Sequence, residues 1–154
     1  MKLIHKIYGT GQPLIIMHGL FGSGDNWRSI ARMMEPHYQS IVVDMRNHGR
    51  SPHDPEMNFQ VMADDILELM TDLKLEKVSL LGHSMGGKVA MQFSLLHPAL
   101  VEKLIVVDIA PKYYPPHHDV VIEAIEAIDP KQLTDRTEAE NAMARFLGND
   151  QSTI

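Results

Sequence analysis

"LLGHSMGGKVA", residues 80–90, runs an apolar segment into a serine with a glycine two positions before it and another two positions after it. Val78 to Leu81 reads as a fully buried strand. Gly86 to His97 reads as the helix that follows, stopped by Pro98. A buried strand that turns at once into a helix around Gly82-His83-Ser84-Met85-Gly86 has the form of a nucleophile elbow. The reason is steric. A strained turn lifts the serine hydroxyl clear of the sheet, and the two glycines remove side chains that would collide across the turn. Gly87 lets the helix pack close to the strand. The competing reading, a glycine-rich phosphate cradle, is set aside because no lysine is expected at Walker spacing.

Working outward, the same grammar repeats on both sides. Leu3 to Tyr8 is a short alternating strand, and Leu14 to Met17 is a continuous apolar one that runs into His18-Gly19 and "LFGSGD". Asp25 is the expected cap of a helix carrying Trp27, Ile30, Ala31 and Met34. Ile41 to Val43 is the next buried strand, ending in the polar turn "DMRNHGRSP". Asn58 caps a helix whose Phe59, Met62, Ile66, Leu69 and Leu73 step by three and four. Leu104 to Val107 is the last strand and ends at Asp108.

Strands that are apolar throughout, alternating with helices, define an α/β fold: a mostly parallel sheet with helices on both faces. Ligands of such sheets bind outside the carboxyl ends of the strands, where His18, Asp44, His83, Ser84 and Asp108 fall. Residues 1–110 carry all of this pattern. Residues 111–154 open on the proline-rich "PKYYPPHHD" and continue with two short helical stretches, over Val121 to Ile128 and Ala139 to Leu147, the second stopped by Gly148. No strand follows Asp108, so the sheet is expected to end at an unpaired edge.

A serine is a weak nucleophile without a base, an orienting acid and donors for a developing oxyanion. One donor is expected from the backbone N–H of Met85, where the helix macrodipole helps. The other is expected from Leu20 in "HGLFG", with Phe21 as the alternative. Candidate bases are less evident. His83 is expected to point away from Ser84 across the pleat. His18 is expected to order the oxyanion loop, and His48 to hold the "RNHG" turn. His117 and His118 could bind a metal, but a solvated loop suits them better. Asp44 and Arg46 are expected to pair, and the Asp64-Asp65 pair to lie on a solvated helix face. Trp27 is expected in the core or a pocket wall, and the eleven methionines mostly at core positions.

Composition narrows the function classes. The chain has 154 residues, room for one domain with a real core. A formal charge of -6 with no Lys/Arg run argues against nucleic acid as the main partner. No cysteine is present, which removes thiolate chemistry and disulfides and suits a cytoplasmic protein. The N-terminal residues break their apolar runs with charges and glycines, so no signal peptide is read there. No stretch approaches the length of a membrane span. Neither a cofactor nor a structural metal is called for, and oligomeric state is not written in the sequence.

Together "HGLFGSGDNW", "VDMRNHGRS", "GHSMGGK" and "VVDIAP" resemble the α/β-hydrolases, in particular small bacterial esterases of the YbfF type and their eukaryotic relatives. The likeness spans about Leu14 to Pro111, with four motifs in order. "DMRNHG" sets this group apart from the many hydrolases with D-x-P-G-H-G at that place. The resemblance implies a Ser-His-Asp carboxylesterase with a helical cap inserted after the sixth strand. It makes Ser84 the nucleophile and Asp108 a candidate acid, many members placing the acid after the next strand. It implies small acyl esters, or thioesters, as substrates. The resemblance also puts the catalytic histidine beyond Ile154, which makes this chain the N-terminal part of such an enzyme: six core strands or fewer, then the opening of the cap. A chain without the histidine would instead behave as a non-catalytic module binding an acyl ligand or a partner.

Overall fold

Alternate residues of one central strand build two separate cores. Leu14 and Ile16 face one side of the sheet and Ile15 and Met17 the other, and all four are fully buried. The computed structural model describes residues 1–114, 119–129 and 135–147. The strands are β1 (His5–Tyr8), β2 (Gln12–Met17), β3 (Tyr38–Val43), β4 (Val78–His83) and β5 (Val101–Val107). They form one sheet of order β1-β3-β2-β4-β5. β1 runs antiparallel to β3 and every other pair is parallel.

Helix α1 (Arg28–Met34) covers the first face through Ala31, with Trp27 and Met34 beside it. Helices α2 (Phe59–Asp72) and α3 (Met85–Leu96) cover the second through Met62, Ile66, Val89 and Phe93. Each such fully buried aliphatic or aromatic side chain stabilises the fold by roughly 1.5–3 kcal/mol. The expected architecture of a mostly parallel sheet with helices on both faces is therefore what the chain adopts.

Element ends differ from expectation for identifiable reasons. The segment before α1 begins as a 3-10 turn over Gly24–Trp27, with Ser23 rather than Asp25 at its cap position. The Asn26 side chain accepts from the Ser23 N–H, while Asp25 is drawn outward to the Lys6 ammonium at 2.7 Å. Asn58 does cap α2, its side chain accepting from Val61 N at 2.9 Å. β5 starts at Val101 rather than Leu104, because Glu102 and Lys103 sit on an exposed strand where charge is tolerated. Among the described residues β5 pairs only with β4, and Leu104 and Ile105 remain 40% and 38% exposed along it.

The chain divides into two compact units, Met1–Pro111 and Lys112–Ile154. The second contains α4 (Asp119–Glu126) and α5 (Arg136–Leu147), which contact each other. His117, His118 and the expected helix stop Gly148 lie outside the described residues.

Candidate active site

Ser84 occupies the single residue between β4 and α3, with φ 49° and ψ -114°. A non-glycine residue with positive φ is strained, so the surrounding contacts must hold it. Ser84 N–H donates to Val107 O at 3.0 Å and Gly86 N–H to His18 O at 3.1 Å, tying the elbow to the ends of both neighbouring strands. A Cβ on Gly82 would collide with Gly86 O, and one on Gly86 would stand 2.5 Å from Met17 O. The side chain of Ser84 is half-buried and makes no cap bond to the helix. Met85 is the first residue of α3, so its N–H has no intrahelical acceptor.

The loop after β2 lies directly beside the serine. A Cβ on Gly19 would stand 3.3 Å from Ser84 Cβ and 2.9 Å from His83 Nδ1. Gly22 N–H closes this loop on Gly19 O at 3.1 Å. Leu20 packs inward on the core under α2 and α3, whereas Phe21 is 53% exposed with φ 61°. The two residues read from sequence as alternative oxyanion donors thus share one tight loop next to Ser84.

His18 pins that loop to the next one. Its Nδ1 lies 2.7 Å from Gly19 O and its Nε2 3.0 Å from Met45 N. A carbonyl only accepts and a backbone N–H only donates, so Nδ1 carries the proton and Nε2 is the acceptor: the ring is neutral. Burial pushes its pKa below the ordinary value, and the His48 ring 5.1 Å away acts in the same direction. His48 in turn contacts Arg46 O through Nδ1 at 2.8 Å, within the turn it was expected to hold.

Asp108 follows β5 directly, with φ 53°. Its carboxylate is 86% exposed and stands 3.8 Å from His83 Nε2. His83 therefore does not turn away from the site; it borders Gly19 and lies against Trp27, ring centroids 6.1 Å apart, at the side of Asp108. Among the described residues no histidine hydrogen-bonds the Ser84 hydroxyl; His18 is engaged at both ring nitrogens and His48 at Nδ1. Among them too, no cluster of three or more His, Asp or Glu could hold a metal ion.

Two pairings differ from expectation. Asp44 does not bind Arg46; its carboxylate accepts from Gly24 N at 2.7 Å and Arg50 N at 2.9 Å, so it fastens two turns instead. Arg46 reaches α2, donating from Nε and Nη2 to Asp65 at 2.6 and 2.8 Å. That bond raises the arginine pKa further, against the opposing effect of burial. Asp65 is accordingly 1% exposed rather than solvated. The Met1 ammonium also bonds Asp65, at 2.8 Å, and Glu68. The signal for Asp65 was present in the sequence, because it falls three residues after Met62 and four before Leu69, on the inner face of α2. Asp64, one residue away, accepts from the exposed Gln60 at 3.1 Å.

Contrary to expectation, a lysine does stand at Walker spacing: Lys88 is six residues after Gly82, but Val89 replaces the Ser/Thr that would follow. Its Nζ donates to Ala110 O at 2.9 Å.

A sheet of this order, with a strained Ser84 between β4 and α3, defines an α/β hydrolase. The family model for the alpha/beta hydrolase fold matches residues 12–150, and the chain belongs to that family. Among its relatives is the esterase YbfF of Escherichia coli, 39% identical over 94% of this chain and 57% of that protein. Another is the sn-1-specific diacylglycerol lipase ABHD11 of Danio rerio, 40% identical over 93% of this chain and 45% of that one. A solved marine microorganism esterase is 45% identical and superposes with a TM-score of 0.93, over 99% of this chain and 61% of its own. The chain spans about half the length of the curated relatives it matches. Among the described residues, no helix is long and apolar enough to cross a membrane.

Proposed function

We propose that this chain carries the nucleophile, the acid and the oxyanion donors of a serine hydrolase that cleaves small carboxylic esters through an acyl-enzyme. The observation that carries the reading is the convergence at Ser84. The strained serine, the Gly19–Gly22 loop and the turn bearing Asp108 are tied to one another by Ser84 N–H to Val107 O and Gly86 N–H to His18 O.

In this mechanism Ser84 Oγ attacks the ester carbonyl carbon while its proton passes to a general base. Negative charge gathers on the carbonyl oxygen, stabilised by the N–H groups of Met85 and Leu20, with Phe21 the alternative donor. The carbon–oxygen bond to the alcohol then breaks, and the alcohol leaves with the proton from the base. Water repeats the sequence on the acyl-serine and releases the acid. Asp108 orients the base and stabilises its charged form. The base is a histidine from outside the described residues. Residues 111–154 are the beginning of the family's helical cap, and the enzyme works in the cytoplasm, in keeping with a chain free of cysteine.

The test is a panel of aryl esters and acyl thioesters of rising chain length, assayed on the catalytically complete enzyme beside Ser84→Ala. The reading expects ester turnover that disappears with Ser84. Turnover indifferent to that substitution would remove it.

A further inference from the structure

Three consecutive contacts grip the turn that carries Asp108. On its near side, Val107 O accepts from Ser84 N–H at 3.0 Å. On its far side, Ile109 Cγ2 fills the space left by Gly87, where a Cβ would stand 2.5 Å away. One residue further, Ala110 O accepts from Lys88 Nζ at 2.9 Å. The gripping residues 84, 87 and 88 all belong to the elbow and the first turn of α3. Lys88 is bound at both ends, because its own N–H donates to Ser84 O at 3.1 Å.

Two physical points make this more than incidental packing. Asp108 has φ 53°, a conformation that a non-glycine residue keeps only when its neighbours over-determine it. A cation in the first turn of a helix is opposed by the macrodipole, so the ammonium of Lys88 gains nothing from its place on α3. Its charge-assisted bond to a backbone carbonyl offsets that.

We infer that Lys88 is a positioning residue: by clasping Ala110 O, it fixes the Asp108 turn to the same helical turn that fixes Ser84. The nucleophile and the acid are then held in register by one rigid element. The inference rests on the serine hydrolase reading for its catalytic consequence, but the clasp itself does not.

Two substitutions test it. Lys88→Met keeps the stem and removes the donor; Lys88→Arg keeps a donor. In the 154-residue chain, amide hydrogen exchange at Ser84 reports on the Val107 side of the turn. Lys88→Met should raise that exchange about tenfold or more, with the α2 amides unchanged, and Lys88→Arg should restore it. In the catalytically complete enzyme, Lys88→Met should lower kcat about tenfold with KM within about twofold, and Lys88→Arg should recover most of it. Wild-type exchange at Ser84 in Lys88→Met, loosening that extends to α2, or an unchanged kcat while Ser84→Ala is inactive would each overturn the proposal. If Ser84→Ala keeps full turnover, the serine hydrolase reading fails instead, and hydrogen exchange alone decides the clasp.

Discussion

Met45 N–H donates to His18 Nε2 at 3.0 Å, so a backbone amide of the loop after β3 holds the ring that in turn holds the loop after β2. This bond exists only while the imidazole is neutral. A proton on Nε2 would set donor against donor and detach the Gly19–Gly22 loop from its neighbour.

The consequence for stability has a definite sign. Burial lowers the His18 pKa in the folded state from its ordinary 6.5. Between the lowered folded value and about 6.5, the unfolded chain binds the extra proton and the folded chain does not. The contribution of His18 is therefore full above about 6.5 and is lost as pH falls through that window. His48, Asp44 and His83 face the same ring and share in setting it. Urea midpoints measured between pH 7.5 and 5.5 should fall for the wild type and fall less for His18→Gln, which can still donate and accept. Parallel pH profiles for the two proteins would count against the neutral tie.

Arg46 and Asp65 are both almost fully enclosed, with side chains 8% and 1% exposed. Breaking such a pair from one side leaves an uncompensated buried charge, at a cost of about 3–5 kcal/mol. Asp65→Ala should destabilise by that order in denaturant titrations, and Arg46→Ala by less, because the Met1 ammonium still pairs with Asp65. The double variant should cost clearly less than the sum of the two. Strict additivity would show that the pair is not coupled.

The backbone of Ser84 makes a different prediction. A non-glycine residue at such a positive φ costs about 1–3 kcal/mol. Ser84→Gly should relieve part of this and raise the unfolding free energy by about 1 kcal/mol, while abolishing nucleophilic chemistry. Ser84→Ala, which keeps Cβ, should gain less. If the glycine variant is no more stable than the alanine variant, the turn is not strained.

The sheet is legible in the sequence because its strands are buried on both faces and therefore run apolar without alternation, each ending in a polar or glycine-rich turn. The elbow is legible because only glycine fits at positions 82 and 86, where carbonyls of Gly86 and Met17 crowd the turn. The Arg46–Asp65 pair is less so, because its partners are 19 residues apart and meet only when the loop after β3 lies along α2. Local reasoning pairs Arg46 with the nearer Asp44, whose carboxylate is already taken by two backbone amides. The contact of Lys88 with Ala110, across 22 residues, is hidden for the same reason. Nor does strand alternation place His83, whose ring is bordered by Gly19 of the loop after β2.

The central claim is that Ser84 is the nucleophile and that no histidine of this chain serves as its base. The most direct test is turnover of a short-chain aryl ester by three purified proteins: the 154-residue chain, the same chain followed by the C-terminal half of the E. coli esterase, and that fusion carrying Ser84→Ala. The account predicts little turnover by the chain alone and about 1 s⁻¹ or more by the fusion. It predicts a loss of about 10³-fold or more on Ser84→Ala. Ser84-dependent turnover at the enzymatic rate by the 154-residue chain alone would place the base within it, and fusion turnover that survives Ser84→Ala would contradict the nucleophile itself.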